Sequence, residues 1–321
     1  MTEILKIENL SKFFPAGRNG FFGDRRFVKA VDRVSFSIEN SETLGLVGES
    51  GCGKSTLGRA ILKLLEPTGG RIIFNEDDIT KFSRKEMKPY RRNMQMIFQD
   101  PYASLNPRMT VDSIVGEPLK VHRLCKSKNE ISERIRELLQ VVGLPTSAAK
   151  RYPGEFSGGQ RQRIMIARIL STNPALVICD EAVSALDVSI QSQILNLLAD
   201  LREEFSMTYI FISHDLGVVK FISDRIAVMY LGRIVEMDET NDLYSNPLHP
   251  YTKSLLSSIP SIKSSSELKV LKGETPSPIE TPTGCYFHPR CNFVMDVCRR
   301  DTPELRDVGD GHLVACHLME V

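Results

Sequence analysis

The sequence predicts an α/β protein in which a mostly parallel sheet carries a glycine-rich loop. Three observations predict this fold class. Apolar strand-like runs alternate with helical patterns up to about residue 235, a glycine-rich loop follows one strand, and the stretch from Asp100 to Leu170 is mostly helical. Continuous apolar strands are typical of a parallel sheet that is buried on both faces. We expect the helical stretch to be a subdomain inserted into the α/β core, with a small Cys-containing extension at the C-terminus.

The predicted elements are short apolar runs and segments with helical spacing. Helices are expected over Thr56 to Leu65, over Ile131 to Val142 and from about Ser189 to Phe205. Serine, proline and threonine at residues 264–266 and 276–282 indicate a linker. The predicted strands are Leu5 to Ile7, Leu44 to Val47, Arg71 to Phe74, Met94 to Phe98, Ala175 to Cys179, Thr208 to Ile212 and Ile226 to Met229.

The loop between a predicted strand and a predicted helix has the pattern G-x-x-x-x-G-K-[ST], which cradles nucleotide phosphates. Its glycines let backbone N–H groups turn toward an anion, and the helix start adds the positive end of its dipole. We expect Lys54 to reach the β- and γ-phosphates and the Ser55 hydroxyl to hold Mg²⁺. The predicted nucleotide-binding residues here are Gly48, Glu49, Ser50, Gly51, Cys52, Gly53, Lys54, Ser55 and Thr56.

Two carboxylates, Asp180 and Glu181, end the apolar strand that begins at Ala175. Ligand sites in open α/β sheets lie at the carboxyl ends of the strands. Asp180 can bind Mg²⁺ directly or through water, and Glu181 can polarise a water toward the γ-phosphate. An exposed acidic turn is the alternative, and the phosphate loop upstream favours the catalytic interpretation.

A second glycine-rich segment, from Phe156 to Arg163, precedes an apolar helix that runs to Leu170. Ser157 predicts an N-cap, and the two glycines after it allow close backbone approach. Such a helix start can bind an anion, and a plain capped helix is the alternative interpretation. Phe156 to Gln160, between the phosphate loop and the carboxylate strand, resembles the signature motif of the ATP-binding cassette (ABC) family.

Other motifs of that family occur in the expected order. Gln99 resembles the Q-loop glutamine, Ser184 to Asp187 the D-loop, and His214 the switch histidine. Phe14 resembles the aromatic residue that stacks on adenine, and Phe13 competes with it for this role. The resemblance covers about residues 4–237 and implies a P-loop NTPase (RecA-like) core with an ABC β-subdomain.

The resemblance also implies a mechanism in which two cassettes meet head to tail around ATP. Glu181 would be the general base, with His214 and Gln99 as further catalytic residues, and Ser55, Gln99 and Asp180 would hold Mg²⁺. Ala182-Val183 and Phe156 depart from the family's commonest pattern, but neither change removes a catalytic atom. The residues that would contact nucleotide from the signature and D-loop are Ser157, Gly158, Gly159, Gln160 and Asp187.

The C-terminal region resembles that of the oligopeptide/dipeptide transporter ATPases. The resemblance rests on residues 246–252 and 283–291, on Cys298 and on residues 312–316. Gly51-Cys52-Gly53 resembles the F-type subunit of such importers. The implied partners are a D-type ATPase, two transmembrane permease subunits and an extracytoplasmic binding protein. Importers of nickel, sugars or glutathione remain alternatives. We expect an ATPase domain over residues 1–237, with the helical subdomain at about 100–170, and the extension over 238–321.

Four of the cysteines crowd this extension, with the spacing C-x₅-C-x₆-C-x₁₇-C. Disulfides are not expected in the cytosol, so a metal or cluster site is the better interpretation. The resemblance implies a 4Fe–4S cluster on Cys285, Cys291, Cys298 and Cys316. Structural zinc, with His288, His312 and His317 as further ligands, is the second interpretation, and reduced cysteines that pack the tail are the third.

Composition narrows the remaining classes of function. A net charge of +1 gives no overall electrostatic case for nucleic-acid binding. No apolar run is long enough to span a bilayer, and the start lacks the features of a signal peptide. We therefore expect a cytoplasmic protein that reaches the membrane through its partners. Two rival functions are a non-transport cassette protein of DNA repair or translation and a P-loop kinase. The lack of a heptad run in the sequence argues against the first, and the signature segment, which a kinase would not use, argues against the second.

Overall fold

The computed structural model describes residues 2–18, 25–100, 104–257 and 276–319, so the linker signal at 264–266 lies outside the described residues. The chain divides into two compact units. Unit 1 comprises residues 1–39, 43–81 and 212–321, and unit 2 comprises residues 40–42 and 82–211. Within the described ranges, no helix combines the length and the apolar character that crossing a membrane requires.

The elements are numbered along the chain. The strands are β1 (Glu3–Arg18), β2 (Arg25–Glu39), β3 (Thr43–Val47), β4 (Gly69–Phe74), β5 (Asp77–Asp78), β6 (Met94–Ile97), β7 (Leu176–Asp180), β8 (Thr208–Ile212), β9 (Arg225–Tyr230), β10 (Arg233–Glu239), β11 (Arg306–Asp307) and β12 (Leu313–Val314). The helices are α1 (Lys54–Ile61), α2 (Met87–Asn93), α3 (Val111–Val121), α4 (Lys128–Val141), α5 (Gly158–Leu170), α6 (Val188–Phe205), α7 (Leu216–Ile222), α8 (Thr240–Ser245), α9 (Pro250–Ser257) and α10 (Asp296–Arg300).

Unit 1 contains an antiparallel sheet with the strand order β2-β1-β4-β5. Leu5 of β1 faces both Ile38 of β2 and Phe74 of β4 across the ladders, and all three side chains are buried. The β1–β2 ladder shifts register several times along its length. Such bulges bend a strand and increase its twist. This sheet agrees with the β-subdomain that the resemblance implies.

A second group of strands in unit 1 has the order β11-β12-β10-β9-β3. β3 is parallel to β9, and β9, β10, β12 and β11 then pair antiparallel in turn. Every residue of β3 is buried, as expected for a strand covered on both faces. Because β12 adds to β10, Leu313 and Val314 belong to the same sheet as the strand that leads into the phosphate loop.

Unit 2 combines three strands with most of the long helices. Its strands have the order β8-β7-β6, and β6 and β7 are parallel, with Met94 opposite Leu176 and Ile97 opposite Cys179. Between residues 104 and 170 the described elements are helices α3, α4 and α5 and two 3₁₀ turns, Thr146–Lys150 and Pro153–Glu155. The predicted helical insertion is therefore confirmed.

Five of the seven predicted strands match the observed strands within about one residue, whereas β4 begins two residues before its prediction and β1 extends to Arg18, well beyond the predicted end at Ile7. The apolar runs do not predict β2 or β10, which mix charged residues with apolar ones. Helix α1 begins at Lys54 and ends at Ile61, whereas the predicted helix covers Thr56 to Leu65. Its early end has a local cause, because Lys63 has a left-handed backbone with φ of 53° that cannot continue a helix.

Candidate active site

The phosphate loop lies between buried β3 and the start of α1. Its glycines at 48, 51 and 53 all have positive φ, of 149°, 79° and 110°. A Cβ on Gly53 would lie 1.9 Å from the Ala30 carbonyl oxygen, and one on Gly48 would lie 2.1 Å from the Met229 carbonyl oxygen. Only glycine fits both the backbone conformation and the space at these two positions.

Lys54 lies inside the loop rather than in solvent. Its side chain is buried, and its ammonium donates hydrogen bonds to the carbonyl oxygens of Gly48 at 2.7 Å and Glu49 at 3.0 Å. The Cys52 sulfur lies 3.7 Å from the same ammonium, and burial raises the pKa of the Cys52 thiol. A positive charge and the start of α1, with the positive end of its dipole, therefore lie together at this loop, which is the arrangement that anion binding needs.

Unit 2 contains the predicted catalytic carboxylate at the end of β7. Asp180 is buried, and Glu181 has a left-handed backbone with φ of 49°, which is uncommon for a residue other than glycine. The Gln99 side-chain amide donates a hydrogen bond to the Glu181 carboxylate at 2.7 Å. Since Gln99 lies two residues after the end of β6 and Glu181 directly follows β7, the parallel pairing of these strands brings the two side chains together.

The signature segment has the predicted N-cap. The Ser157 hydroxyl accepts a hydrogen bond from the Gln160 N–H at 3.4 Å, and the Gln160 side chain accepts one from the Ser157 N–H at 3.0 Å. These two bonds form a capping box at the start of α5. A Cβ on Gly159 would lie 2.4 Å from the Ile190 side chain, so the glycine lets α5 approach α6 closely.

Two further predicted residues lie at helix starts. Asp187 caps α6, because its carboxylate accepts a hydrogen bond from the Ile190 N–H at 3.0 Å. His214 is exposed next to Asp215, whose carboxylate caps α7 by accepting from the Gly217 N–H at 2.8 Å. His214 therefore lies at a helix start, and its role as the switch histidine stays a prediction.

The two adenine-stacking candidates lie side by side on β1. Both Phe13 and Phe14 are half-buried. The Lys12 ammonium lies 5.0 Å from the centre of the Phe14 ring, and the Phe13 N–H donates to the Thr68 hydroxyl at 3.0 Å. Neither ring packs in the core, so both stay available as a platform, and the choice of Phe14 remains a prediction.

The structure reveals contacts to the phosphate loop that the sequence does not predict. Arg290, in the 3₁₀ turn His288–Arg290, donates two hydrogen bonds to the Glu49 carboxylate at 2.8 and 2.9 Å. The Glu49 N–H donates to the Tyr251 hydroxyl at 2.9 Å. Arg290 and Tyr251 both lie in the tail segments 246–252 and 283–291, and their place in these segments is the sequence signal that could have drawn attention to them. The pairing of Arg290 with Glu49 joins residues 241 positions apart, so it leaves no local pattern in the sequence.

The tail cysteines are near one another without forming a metal centre. Burial, together with the other tail thiols, raises the pKa of Cys285 to about 12, and burial also raises the pKa values of Cys291 and Cys316. Metal ligands are thiolates, so a metal would have to displace the protons of these thiols when it binds. Among the described residues, no group of three or more His, Cys, Asp or Glu side chains is arranged to hold a metal ion. The geometry therefore does not support the expected four-cysteine site as it stands.

The three tail histidines have other partners. Both ring nitrogens of His312 contact buried carboxylates, Glu236 at 2.8 Å and Asp238 at 3.0 Å. His288 contacts the Cys285 carbonyl oxygen at 2.9 Å, and His317 contacts the Asp301 carbonyl oxygen at 3.0 Å. His312 in particular has no nitrogen left for zinc in this arrangement.

Comparison with known proteins agrees with the motifs. The chain matches the ABC transporter family over residues 31–184 and the C-terminal region of oligopeptide/dipeptide transporters over residues 235–298. It is 53% identical to the oligopeptide transport ATP-binding protein AppF of Bacillus subtilis, over 98% of this chain and 97% of that protein. It is 50% identical to the putative oligopeptide transport ATP-binding protein YkfD of the same species, over 98% and 95% of the two chains.

Solved structures show the same fold. The dimeric, post-hydrolysis ATP-binding cassette MJ0796 with ADP and Pi is 29% identical, with a TM-score of 0.66 over 74% of this chain and 99% of that one. CbiO1 of Clostridium perfringens, part of the ABC transporter complex cbiONQ, is 27% identical, with a TM-score of 0.65 over 77% and 92% of the chains. The chain therefore belongs to the ATP-binding cassette ATPases, in the group of oligopeptide/dipeptide transporter ATP-binding proteins.

Proposed function

We propose that this chain is the ATP-binding and ATP-hydrolysing subunit of an importer for di- or oligopeptides. One observation carries the proposal. Identities of 50–53% with peptide transport ATP-binding proteins extend over 98% of the chain, and the tail matches the C-terminal region of such transporters. We assign residues 1–237 to the ATPase domain, with residues 100–170 as its helical subdomain, and residues 238–321 to the extension.

The phosphate loop is proposed to bind the nucleotide phosphates, with Lys54 on the β- and γ-phosphates. A buried ammonium and the positive dipole end of α1 support this role. The hydroxyl of Ser55, the carboxylate of Asp180 and the amide oxygen of Gln99 are the oxygen ligands that Mg²⁺ prefers. When bound, Mg²⁺ would neutralise charge on the phosphates. Phe14 is proposed to stack on the adenine.

Glu181 is proposed to be the general base that activates water. Its hydrogen bond from Gln99 supports this role, because a carboxylate fixed by a neighbour is held in one orientation. His214 is proposed to contact the γ-phosphate. Preorganised donors around the phosphoryl oxygens supply most of the catalysis in this class of reaction.

A second cassette is proposed to complete the site. Ser157, Gly158, Gly159, Gln160 and Asp187 would contact nucleotide bound to that partner. The start of α5 supports the assignment, because the capping box fixes its first turn and the positive end of the helix dipole there favours an anion. The dimeric state of the related cassette MJ0796 also supports it. We propose that the partner is a D-type ATPase.

Two permease subunits and an extracytoplasmic binding protein would complete the importer, with this chain on the cytoplasmic face of the membrane. The experiment is to co-express the chain with permeases encoded by neighbouring genes and to purify the complex. The proposal predicts co-purification and ATP hydrolysis that peptides stimulate through the binding protein. Nickel, sugars and glutathione are tested in the same assay, and stimulation by one of these instead of peptides would replace the proposed substrate.

A P-loop kinase and a non-transport cassette protein are the rival functions. A kinase needs a phosphate acceptor, so release of free phosphate without one argues against it. A non-transport cassette would not co-purify with permeases. The Glu181→Gln variant serves as the control in both assays, because it should assemble normally and show no turnover.

A metal group on the tail cysteines is a separate proposal, with a 4Fe–4S cluster first and zinc second. Its support is that Cys291, Cys298 and Cys316 lie near enough to Cys285 to raise the pKa of its thiol. The present arrangement does not fit such a group, so its binding would require the side chains to rearrange. Anaerobic purification followed by iron, sulfide and zinc analysis separates cluster, zinc and reduced thiols.

A further inference from the structure

Glu49, the second residue of the phosphate loop, is held at three points. Its N–H donates to the Tyr251 hydroxyl at 2.9 Å, and its carbonyl oxygen accepts from the Lys54 ammonium at 3.0 Å. Its carboxylate accepts both hydrogen bonds of the Arg290 guanidinium. Two of these three partners, Tyr251 and Arg290, lie in segments that follow β10. The C-terminal extension therefore fixes a residue of the phosphate loop.

Arg290 is itself held rigidly. Its side chain is 7% exposed, and its N–H bonds to the Phe287 carbonyl oxygen at 3.0 Å. The Phe287 ring packs against Tyr230 and Tyr251, with ring centres 5.3 and 5.4 Å away. The guanidinium also lies 5.9 Å from the centre of the Tyr230 ring. Three aromatic rings therefore support the turn that presents Arg290 to the loop.

The negative charge of Glu49 makes its contact with Arg290 important for phosphate binding. A carboxylate within an anion-binding loop repels the phosphates that the loop must bind, and the repulsion is strong where solvent screening is weak. A bidentate guanidinium neutralises that carboxylate and fixes its direction. The hydrogen bonds from Arg290 to Glu49 raise the pKa of the guanidinium further, which agrees with a strong pairing.

We infer that Arg290 is a positioning residue for nucleotide binding, which holds Glu49 and cancels its charge so that the phosphate loop can accept ATP. The C-terminal extension thereby sets the affinity of the loop. The inference rests on the proposed binding of ATP by this loop. If the wild-type chain does not bind ATP, the proposed function is wrong. If the wild type binds ATP and the Arg290→Ala variant binds it equally well, only the inference about Arg290 is wrong.

The test is a double-mutant cycle on the full-length chain, with the Kd for MgATP and the KM and kcat of hydrolysis as readouts. Arg290→Ala should raise Kd and KM about tenfold and change kcat less than about twofold. Glu49→Gln removes the charge that Arg290 cancels, so in the Glu49→Gln background the further change Arg290→Ala should alter Kd by less than about threefold. The double variant Arg290→Ala/Glu49→Gln should therefore recover tighter binding of MgATP than Arg290→Ala alone.

Recovery in the double variant separates the inference from a purely structural role of Arg290. If the double variant binds MgATP as weakly as Arg290→Ala, or if Arg290→Ala binds like the wild type, the inference is wrong. Arg290→Lys keeps the charge and should lie between the wild type and Arg290→Ala, which covers the case in which the alanine variant does not fold. Arg300→Ala, an exposed arginine of α10, is the matched control and should leave Kd unchanged.

Discussion

Gln99 donates a hydrogen bond at 2.7 Å to the carboxylate of Glu181, 82 residues further along the chain. The two residues follow neighbouring parallel strands, β6 and β7, which explains how residues so distant in sequence meet. The carboxylate is half-buried, and its residue has a left-handed backbone. Such strain at a non-glycine residue costs about 1–3 kcal/mol and persists where the surroundings hold it.

Glu181→Gln should keep ATP binding and lose hydrolysis. The amide fills the same space but cannot accept a proton, and loss of a general base costs about 100-fold or more in kcat. Binding of MgATP and release of phosphate are the two measurements. Hydrolysis at the wild-type rate would exclude Glu181 as the base.

Gln99→Ala should lower kcat about tenfold and leave the Kd for MgATP within about threefold of the wild type, because it frees the Glu181 carboxylate without removing it. Gln95→Ala is the matched control, since the Gln95 side chain bonds instead to the Arg91 carbonyl oxygen at 2.6 Å. Equal losses in both variants would mean that the effect comes from the β6 segment in general.

Lys54→Ala should weaken MgATP binding at least about tenfold, because a charged hydrogen-bond donor is removed from the loop. Lys63→Ala removes another buried lysine, which bonds to the Thr80 carbonyl oxygen at 2.6 Å. We expect a lower thermal stability in that control but an unchanged affinity. An unchanged affinity in Lys54→Ala would count against the whole candidate site.

Gly53→Ala should destabilise the fold. Its φ is 110°, and the added Cβ would lie 1.9 Å from a backbone oxygen, so the free energy of unfolding should fall by more than about 1 kcal/mol. Gly154 has open space around an added Cβ and no positive φ, so Gly154→Ala should change stability little. Chemical denaturation of both variants gives the comparison, and equal stabilities would contradict the strain argument.

His249 should make stability depend on pH in the acid range. Burial lowers its pKa to about 3, so the unfolded chain binds a proton below the ordinary pKa of 6.5 while the folded chain does not. The stability that neutral His249 contributes is therefore present above pH 6.5 and falls toward pH 3, with a limiting slope of about 1.4 kcal/mol per pH unit.

The matched variant for this effect is His249→Gln, which keeps a hydrogen-bond acceptor near the Tyr251 N–H. The unfolding free energy of the wild type should decline more steeply than that of the variant between pH 6 and pH 5, by about 1 kcal/mol. Parallel pH profiles would show that His249 does not titrate in this way.

Local patterns predict much of the fold and of the loop chemistry. β3, β7, β8 and β9 are continuous apolar runs, and the Ser157 cap has a clear local signal, so these predictions are confirmed. β2 was not predicted because charged residues interrupt its apolar positions.

The paired contacts at the site depend on long-range packing. No local pattern links Arg290 to Glu49, because the contact arises only when the tail returns to the loop after 241 residues. For the tail cysteines, the sequence suggests a site that the described residues do not form. The clustering of four thiols in the tail suggests a metal site, although their spacing is not the usual one for zinc, and ligation depends on thiolate geometry that clustering in the sequence does not fix.

The most direct test of the central claim is uptake of a labelled oligopeptide into proteoliposomes that contain the whole complex, with phosphate release measured in parallel. The account predicts uptake that requires ATP and the binding protein, and that is lost together with hydrolysis in Glu181→Gln. Peptide uptake that continues at the wild-type rate in that variant, or hydrolysis that never responds to peptide, would contradict it.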